Sequence, residues 1–543
     1  MDPAENGPSV LPSKEMISRL SRGMRDPLFL LCLSAGLLAF VVQSGELGTA
    51  DTTFRLQTTH WLWTGSPQVN ADDYPDFGLH GRDGKLWSWY GIGQSLLMLP
   101  SDVVATWIAH WHVFANYEED PAVRSILVTY STSILVTMLT AWIAFRLLKQ
   151  FAFTTQQTVA GVVGLLFCTT HLHYTQNMQE NNYIMLLTLM GFSFQYEWLR
   201  TGRTKALIAG SLALGLNLLT RVTTGIDLIA AAFFLLFLLA FERVEWREVW
   251  RKSLAYCKVT FPIYAVFVFI ERWYSHYRFG SWTQTYIPIF ARESKLNDPK
   301  LPANFPWSTP LHVGVMGALF KPEKSIFLFD PLLIISLVLF VMLWKRLSGE
   351  VRAYAAASLF LTAFYLCFYA RYTYWAGDHA WGDRYVSTAV QFVCLLAMPL
   401  LLKFRPTLGN AIWRSSLALI GASSLIQLAS TAFWLPLEIY QMETFGHPTF
   451  VIALRFKNIV AFALGKMDSW GLNTVAMTQD PWDYVHVTTW NYLPFLLRRV
   501  GAAPTWVVDV AFAVWIVGIL VLVAVLRRLY RVLQMDEPAS VEV

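Results

Sequence analysis

The chain has 543 residues, 55% of them hydrophobic and only 15% charged, against roughly 25% charged in soluble domains. Its mean hydropathy is +0.41, which excludes an ordinary soluble enzyme and points to an all-α polytopic membrane protein. The net charge of +5 is no nucleic-acid signal, because the lysines and arginines sit in short clusters between apolar runs, where membrane topology puts them.

Segment 1–26 carries Lys14, Arg19, Arg22 and Arg25 before the first apolar run. No clear small-residue cleavage site follows, so that run reads as an uncleaved span and not as a signal peptide. Apolar runs then recur at 27–43, 122–148, 158–170, 183–199, 206–219, 225–241, 256–274, 325–344, 354–370, 386–402, 412–434 and 505–526. They predict about twelve transmembrane helices, several near the ~20 residues that cross a bilayer. Basic clusters at Arg146/Lys149, Arg200/Arg203/Lys205, Arg243/Arg247/Arg251/Lys252, Lys345/Arg346/Arg352, Lys403/Arg405/Arg414 and Arg527/Arg528/Arg531 fall in alternate loops. Those loops are therefore assigned to the cytoplasm, with both termini and the 532–543 tail.

Residues 27–531 read as one transmembrane domain whose external loops 45–121, 276–324 and 435–504 are long. Segment 91–111 is apolar, but Pro100, Ser101 and Asp102 interrupt it. It is predicted to form two short amphipathic helices at the external interface, with Trp107 and Trp111 at headgroup level. The five cysteines, Cys32, Cys168, Cys257, Cys367 and Cys394, lie in apolar runs without metal or redox spacing. They read as small buried hydrophobes.

The polar chemistry is concentrated in the external loops. Asp51 follows the first span closely enough to meet something held in the bilayer; a simpler reading makes it the N-cap of a surface helix, with Arg55 as its i+4 ion-pair partner. In GLHGRDGKLWSWYGIGQ, Asp83-Gly84 signals a turn, and Arg82, Lys85, Trp87, Trp89 and Tyr90 make a cationic, aromatic strip. Such a strip holds a phosphate, stacks on a sugar, or forms an interfacial belt. HLHYTQNMQENN offers His171, His173 and Glu180, which reads first as a polar lip between helix ends and secondly as a divalent-metal site. Arg221 ends the fifth span on the same side. Finally, WAGDHAWGDRY sets Asp378, Asp383 and Arg384 among tryptophans. Ionised groups beside lipid are costly unless they pair or face a wet cavity. There Gly377 and Gly382 allow tight turns, and Arg384, steadied by Asp383, suits an anion at the bilayer edge.

Five stretches in order carry a family resemblance: the acid after the first span (Asp51), DGKLWSWYG, YRFGSWTQTY, ALFKPEKSIFLFDP and WAGDHAWGDRY. The chain resembles the integral-membrane glycosyltransferases of the GT-C superfamily, in the branch of bacterial protein O-mannosyltransferases and the lipid A aminoarabinose transferase. That resemblance implies a polyprenyl-phosphate-linked sugar donor, an active site at the external face of a bacterial inner membrane, and inversion at the sugar carbon. It implies Asp51 as catalytic base, Glu180 as supporting acid and Arg384 as donor-phosphate ligand. Asp378, Asp383, Arg221, Lys85, Tyr90 and Arg82 complete the donor-binding candidates. The acceptor, whether lipid, glycan or protein, is open, and so is a divalent metal at Glu180 and the histidines. The chain also departs from the family. Where relatives often read Asp-Lys-Pro-Pro, it has Trp89, Tyr90, Gly91 and Ile92. The missing lysine charge must come from Lys85, Arg82 or Arg221, or the donor sits differently. No Walker loop or dinucleotide fingerprint occurs. The rival readings are a lipid-linked sugar flippase, which requires a polar track through the spans, and a non-catalytic scaffold.

Overall fold

The computed structural model describes residues 25–70, 77–111, 122–377, 380–434, 436–443, 446, 449–467, 489–501 and 503–535. In chain order the elements are α1 (Pro27–Val42), α2 (Ala50–Thr64), β1 (Leu79–His80), β2 (Leu86–Trp87), α3 (Gly93–Ala109), α4 (Val123–Gln150), α5 (Thr155–Phe167), α6 (His171–Asn177), α7 (Asn181–Thr201), α8 (Thr204–Thr220) and α9 (Gly225–Phe241). There follow α10 (Trp246–Phe279), α11 (Tyr286–Asn297), α12 (Leu311–Phe320), α13 (Ile326–Phe329), α14 (Leu332–Leu343), α15 (Gly349–Tyr369), α16 (Arg384–Cys394), α17 (Ala397–Lys403), α18 (Asn410–Ser430), α19 (Pro436–Glu443), α20 (Val451–Ala463), α21 (Leu493–Val500) and α22 (Thr505–Met535). The only sheet among the described residues is the antiparallel β1–β2 hairpin, which pairs Leu79 with Trp87.

Among the described residues, seven segments are long and apolar enough to cross a membrane: Val123–Gln150, Val222–Phe241, Trp246–Phe279, Gly349–Tyr369, Arg384–Lys403, Asn410–Ser430 and Thr505–Met535. Each covers one predicted span. The other predicted spans fall on α1, α5 and α8, which are shorter, on α7, and on a run that is broken. That broken run is 325–344. Asp330-Pro331 splits it into α13 and α14, since proline has no N–H and drives its predecessor out of the helical region. The Asp330 carboxylate, freed from the helix, accepts from the Thr170 N–H (2.7 Å) and hydroxyl (3.1 Å) at the start of α6.

Segment 93–109 is a correction to the sequence reading. It is one helix that runs through Pro100, not two short ones. Asp102, expected to interrupt it, is fully buried and accepts from Arg124 Nε at 2.6 Å and Trp63 Nε1 at 2.8 Å. Trp107 and Trp111 are exposed. The cysteines are corrected too, because Cys257 and Cys367 are exposed on their helices and only Cys168 and Cys394 are buried.

Ion pairs identify one end of the bundle. Arg146 and Arg203 both meet Glu197, and Arg200 meets Glu242 at 2.5 Å and Glu350 at 3.3 Å. These pairs bring together the ends of α4, α7 and α9 and the start of α15, where several of the basic loops lie. The opposite end holds the start of α7, the end of α8 and the start of α16. There the predicted polar lip 171–182 is not a lip but a wholly buried hub. Its side chains satisfy carbonyls at helix ends: Gln176 Nε2 donates to Val42 O (2.7 Å), Thr431 O (3.0 Å) and Asn491 O (2.8 Å). Burying so much polarity is tolerable only because it is bonded.

A second buried lock was not foreseen. Arg455 on α20 grips Glu438 on α19 with two bonds of 2.6 Å, and its Nη1 donates to Ser430 O (2.8 Å) and Phe433 O (2.9 Å) at the C-terminal end of α18. Both side chains are completely buried. Removing one partner strands the other charge, at about 3–5 kcal/mol. Arg455→Ala should therefore lower the melting temperature in detergent sharply. Adding Glu438→Ala should restore part of the loss, because no charge is then left uncompensated.

Candidate active site

At that second end of the bundle, side chains from five separate segments meet. The hydroxyl of Thr49, not Asp51, caps α2 by accepting from the Thr52 N–H at 3.4 Å. This overturns the simple N-cap reading and leaves Asp51, in the first helical turn, free to bond elsewhere. Its Oδ2 accepts from Arg384 Nη1 at 2.6 Å across 333 residues of chain, and its Oδ1 accepts from the Tyr90 phenol. The expected i+4 pairing of Asp51 with Arg55 is also corrected. Arg55 reaches Glu180 instead, at 2.6 Å, and Arg221 takes the other Glu180 oxygen. Three guanidinium groups thus face two carboxylates, which leaves one net positive charge.

Burial raises the Asp51 carboxyl, but Arg384 and then Arg55 outweigh it and hold the group below the usual carboxylate range. Glu180 behaves alike: burial opposes ionisation, and Arg55 and Arg221 override it. Several donors stay uncommitted. Arg55 Nε and Nη1 and Arg384 Nε are buried with no hydrogen-bond partner among the described residues. Such donors fit an anion with several oxygens.

Aromatic rings wall the cluster. Arg55 lies 4.2 Å over the Tyr90 ring, while Arg221 and Arg384 each lie 5.3 Å from the Tyr385 ring, itself stacked on Tyr369 at 4.3 Å. Two glycines make this proximity feasible. A Cβ at Gly91 would collide with the Leu219 and Thr220 carbonyls, so glycine lets the segment after Tyr90 lie against the end of α8. Gly377, at φ +74°, leaves room for the Arg384 stem, which a Cβ would strike.

The remaining family-like stretches hold these parts in place. Arg278 of YRFGSWTQTY is buried and donates to the Ser88 and Tyr90 carbonyls. Lys324 of ALFKPEKSIFLFDP donates to Ala380 O at 2.7 Å and Gly382 O at 3.3 Å, which fixes the turn before Arg384. Trp381 is fully buried and packs on Phe329 at 5.0 Å and His173 at 5.7 Å.

The structure therefore brings together Asp51, Glu180, Tyr90, Arg221 and Arg384. Asp383 stands beside them but turns inward, accepting from the Tyr385 N–H at 3.1 Å, and burial pushes its carboxyl up to about 7 against the pull of Lys324. Arg82 and Lys85 sit at the exposed hairpin tip, where Asp83 accepts from the Lys85 N–H at 3.2 Å and Trp87 Nε1 at 2.9 Å. Among the described residues neither has a bond to the cluster. Asp378 lies outside the described residues. Tyr90 stands where the resemblance expected a lysine, and the cations beside the two carboxylates are Arg55, Arg221 and Arg384. Sequence reasoning missed Arg55's true partner, and it missed Arg278 and Lys324 as supports; only the family-like stretches around the latter two signalled them.

A metal at Glu180 with the histidines does not fit this geometry. Glu180 is held by two guanidinium groups, and His171 and His173 are buried against Thr175, Asn182 and Asn177. Burial pulls both imidazoles down to about 3. No group of three potential metal ligands occurs among the described residues.

Residues 123–271 match the family described as dolichyl-phosphate-mannose-protein mannosyltransferase. This match supports a GT-C superfamily glycosyltransferase. It takes in Glu180 and Arg221 but neither Asp51 nor Arg384. No curated protein matches the chain.

The depressed Glu180 carboxyl has a consequence for stability. A group with a lowered folded-state value adds stability above its ordinary value, here 4.5, and loses it as pH falls towards the folded value. Wild-type protein should thus lose melting temperature progressively below that pH. Glu180→Gln should start lower at pH 7, because Arg55 and Arg221 lose their counter-ion, and should show a shallower decline in acid.

Proposed function

We propose that the chain is an inverting glycosyltransferase that moves a sugar from a polyprenyl-phosphate donor to an acceptor hydroxyl at the external face of the membrane. The observation that carries the reading is the convergence of Asp51 with Arg384, Arg55 and Arg221 at one end of the bundle. The family match supports a membrane glycosyltransferase using a lipid-linked sugar. About twelve spans with both termini cytoplasmic would place this end outside, as the alternating basic loops require.

The chemistry follows from the charges. A polyprenyl donor reaches the site sideways from lipid, so its phosphate lies at the interface. The phosphodiester carries one negative charge and neutralises the net charge of the cluster. The acceptor oxygen attacks the anomeric carbon from the face opposite the phosphate. The bond from that carbon to the phosphate oxygen breaks, and its electron pair leaves on the lipid phosphate. The acceptor proton passes to Asp51. The extra negative charge on the phosphate is then matched by the proton gained at Asp51, so the cluster stays balanced. Fixed guanidinium groups in a partly dry site stabilise the leaving charge better than water-screened ones would. One base suffices for a single displacement.

The flippase reading is less well supported. The carboxylate buried in α9 is held by its neighbours, as Asp227 accepts from Tyr365 (2.9 Å), Thr188 (3.0 Å) and Asn217 (3.0 Å). A scaffold leaves the arginine cluster without a role.

Asp51→Asn should fold normally and lose about 100- to 10,000-fold in transfer from a labelled polyprenyl-phosphate sugar, the usual contribution of a general base; near-wild-type turnover would remove Asp51 from that role. Arg384→Ala should weaken donor use more than acceptor use. It should also move the acid limb of the pH–rate profile to higher pH, since the Asp51 carboxyl is no longer held down. A reporter fused near residue 115 should read external.

A further inference from the structure

Arg384 has five N–H donors, and among the described residues its side chain commits one of them, Nη1 to Asp51 Oδ2 at 2.6 Å. Nε is buried and unpartnered. Arg55 and Arg221 stand differently, because both are held by Glu180. Arg384 is therefore the one guanidinium of this cluster bonded to the group assigned as base. A phosphate offers it a two-pronged grip, against the single bond to the carboxylate, and paired charge-assisted bonds of that kind outweigh one.

Resting on the reading that a donor phosphate sits among the three arginines, we propose that this phosphate and Asp51 compete for Arg384. Phosphate binding draws the guanidinium off the carboxylate and frees Asp51 Oδ2 to act as base towards the acceptor, while Oδ1 stays bonded to the Tyr90 phenol. Donor binding then precedes activation of the base. A carboxylate bonded to Arg384 and to the Tyr90 phenol is a poor proton acceptor, as the downward pull of Arg384 on Asp51 indicates. Such coupling would keep the base quiet until a sugar donor is in place.

The test is binding of farnesyl phosphate, a short polyprenyl monophosphate, to the full-length protein in detergent, with farnesol as the uncharged control. Competition requires that Asp51→Asn bind farnesyl phosphate more tightly than wild type, by about tenfold if one charge-assisted bond is relieved. Asp51→Ser, a second carboxylate-free variant, should shift the same way. In an Arg384→Ala background the gain from Asp51→Asn should vanish. If wild type binds but Asp51→Asn and Asp51→Ser bind no more tightly, the competition is wrong while the phosphate site stands. A gain that persists without Arg384 reports simple repulsion between Asp51 and the anion and also overturns the proposal. If farnesyl phosphate binds no better than farnesol to any variant, the donor-phosphate reading fails with it.

Discussion

Charged groups near a bilayer must find partners, and the Asp51–Arg384 pair is where this protein meets that constraint across its whole length. The two residues start helices that are remote in sequence, and pairing lowers the cost of each charge in a partly buried site. Their pairing fixes α2 against α16. Glu180, at the start of α7, then holds Arg55 and Arg221, and so ties in α2 again and the end of α8. Four helix ends are thereby pinned around a cluster with one positive charge to spare. That surplus, with buried donors still uncommitted, makes the cluster suited to an anion.

The rest of the fold serves this geometry. The buried hub around α6 bonds the carbonyls that α1 and α18 leave open at their ends, which sets where the first span stops and so where Asp51 begins. Arg278 holds the segment that carries Tyr90, and Lys324 holds the turn before Arg384. Glycines at 91 and 377 remove side-chain atoms where backbone or the arginine stem must pass. The same polar bonds that satisfy the helix ends also position the charged cluster. The arrangement accounts for Tyr90 as well. The phenol bonds the Asp51 carboxylate directly, and the Arg55 guanidinium stacks on its ring.

Much of this was legible in the sequence. Apolar runs gave the helix positions, and alternating basic loops separated the two ends, because both signals are local and cumulative. Asp51, Glu180, Arg221, Tyr90 and Arg384 stood out as charge or aromatic polarity beside apolar runs. The partners did not. Arg55 lies one turn from Asp51, and local spacing favoured that pair, but long-range packing awarded Arg55 to Glu180. The 171–182 segment looked like an exposed lip because its residues are polar; nothing local records that they bond helix ends from three other segments. Pro331 broke a run that hydropathy made continuous, whereas Pro100 did not break its helix. Arg82 and Lys85 seemed placed for an anion by composition alone, and the hairpin turn carries them to an exposed tip.

An experimental structure of the protein in lipid nanodiscs with a bound polyprenyl phosphate tests the central claim most directly. The account requires the phosphate among Arg55, Arg221 and Arg384, with Asp51 alongside. Phosphate density in a different cavity, or Asp51 and Arg384 set apart without a shared one, would contradict it.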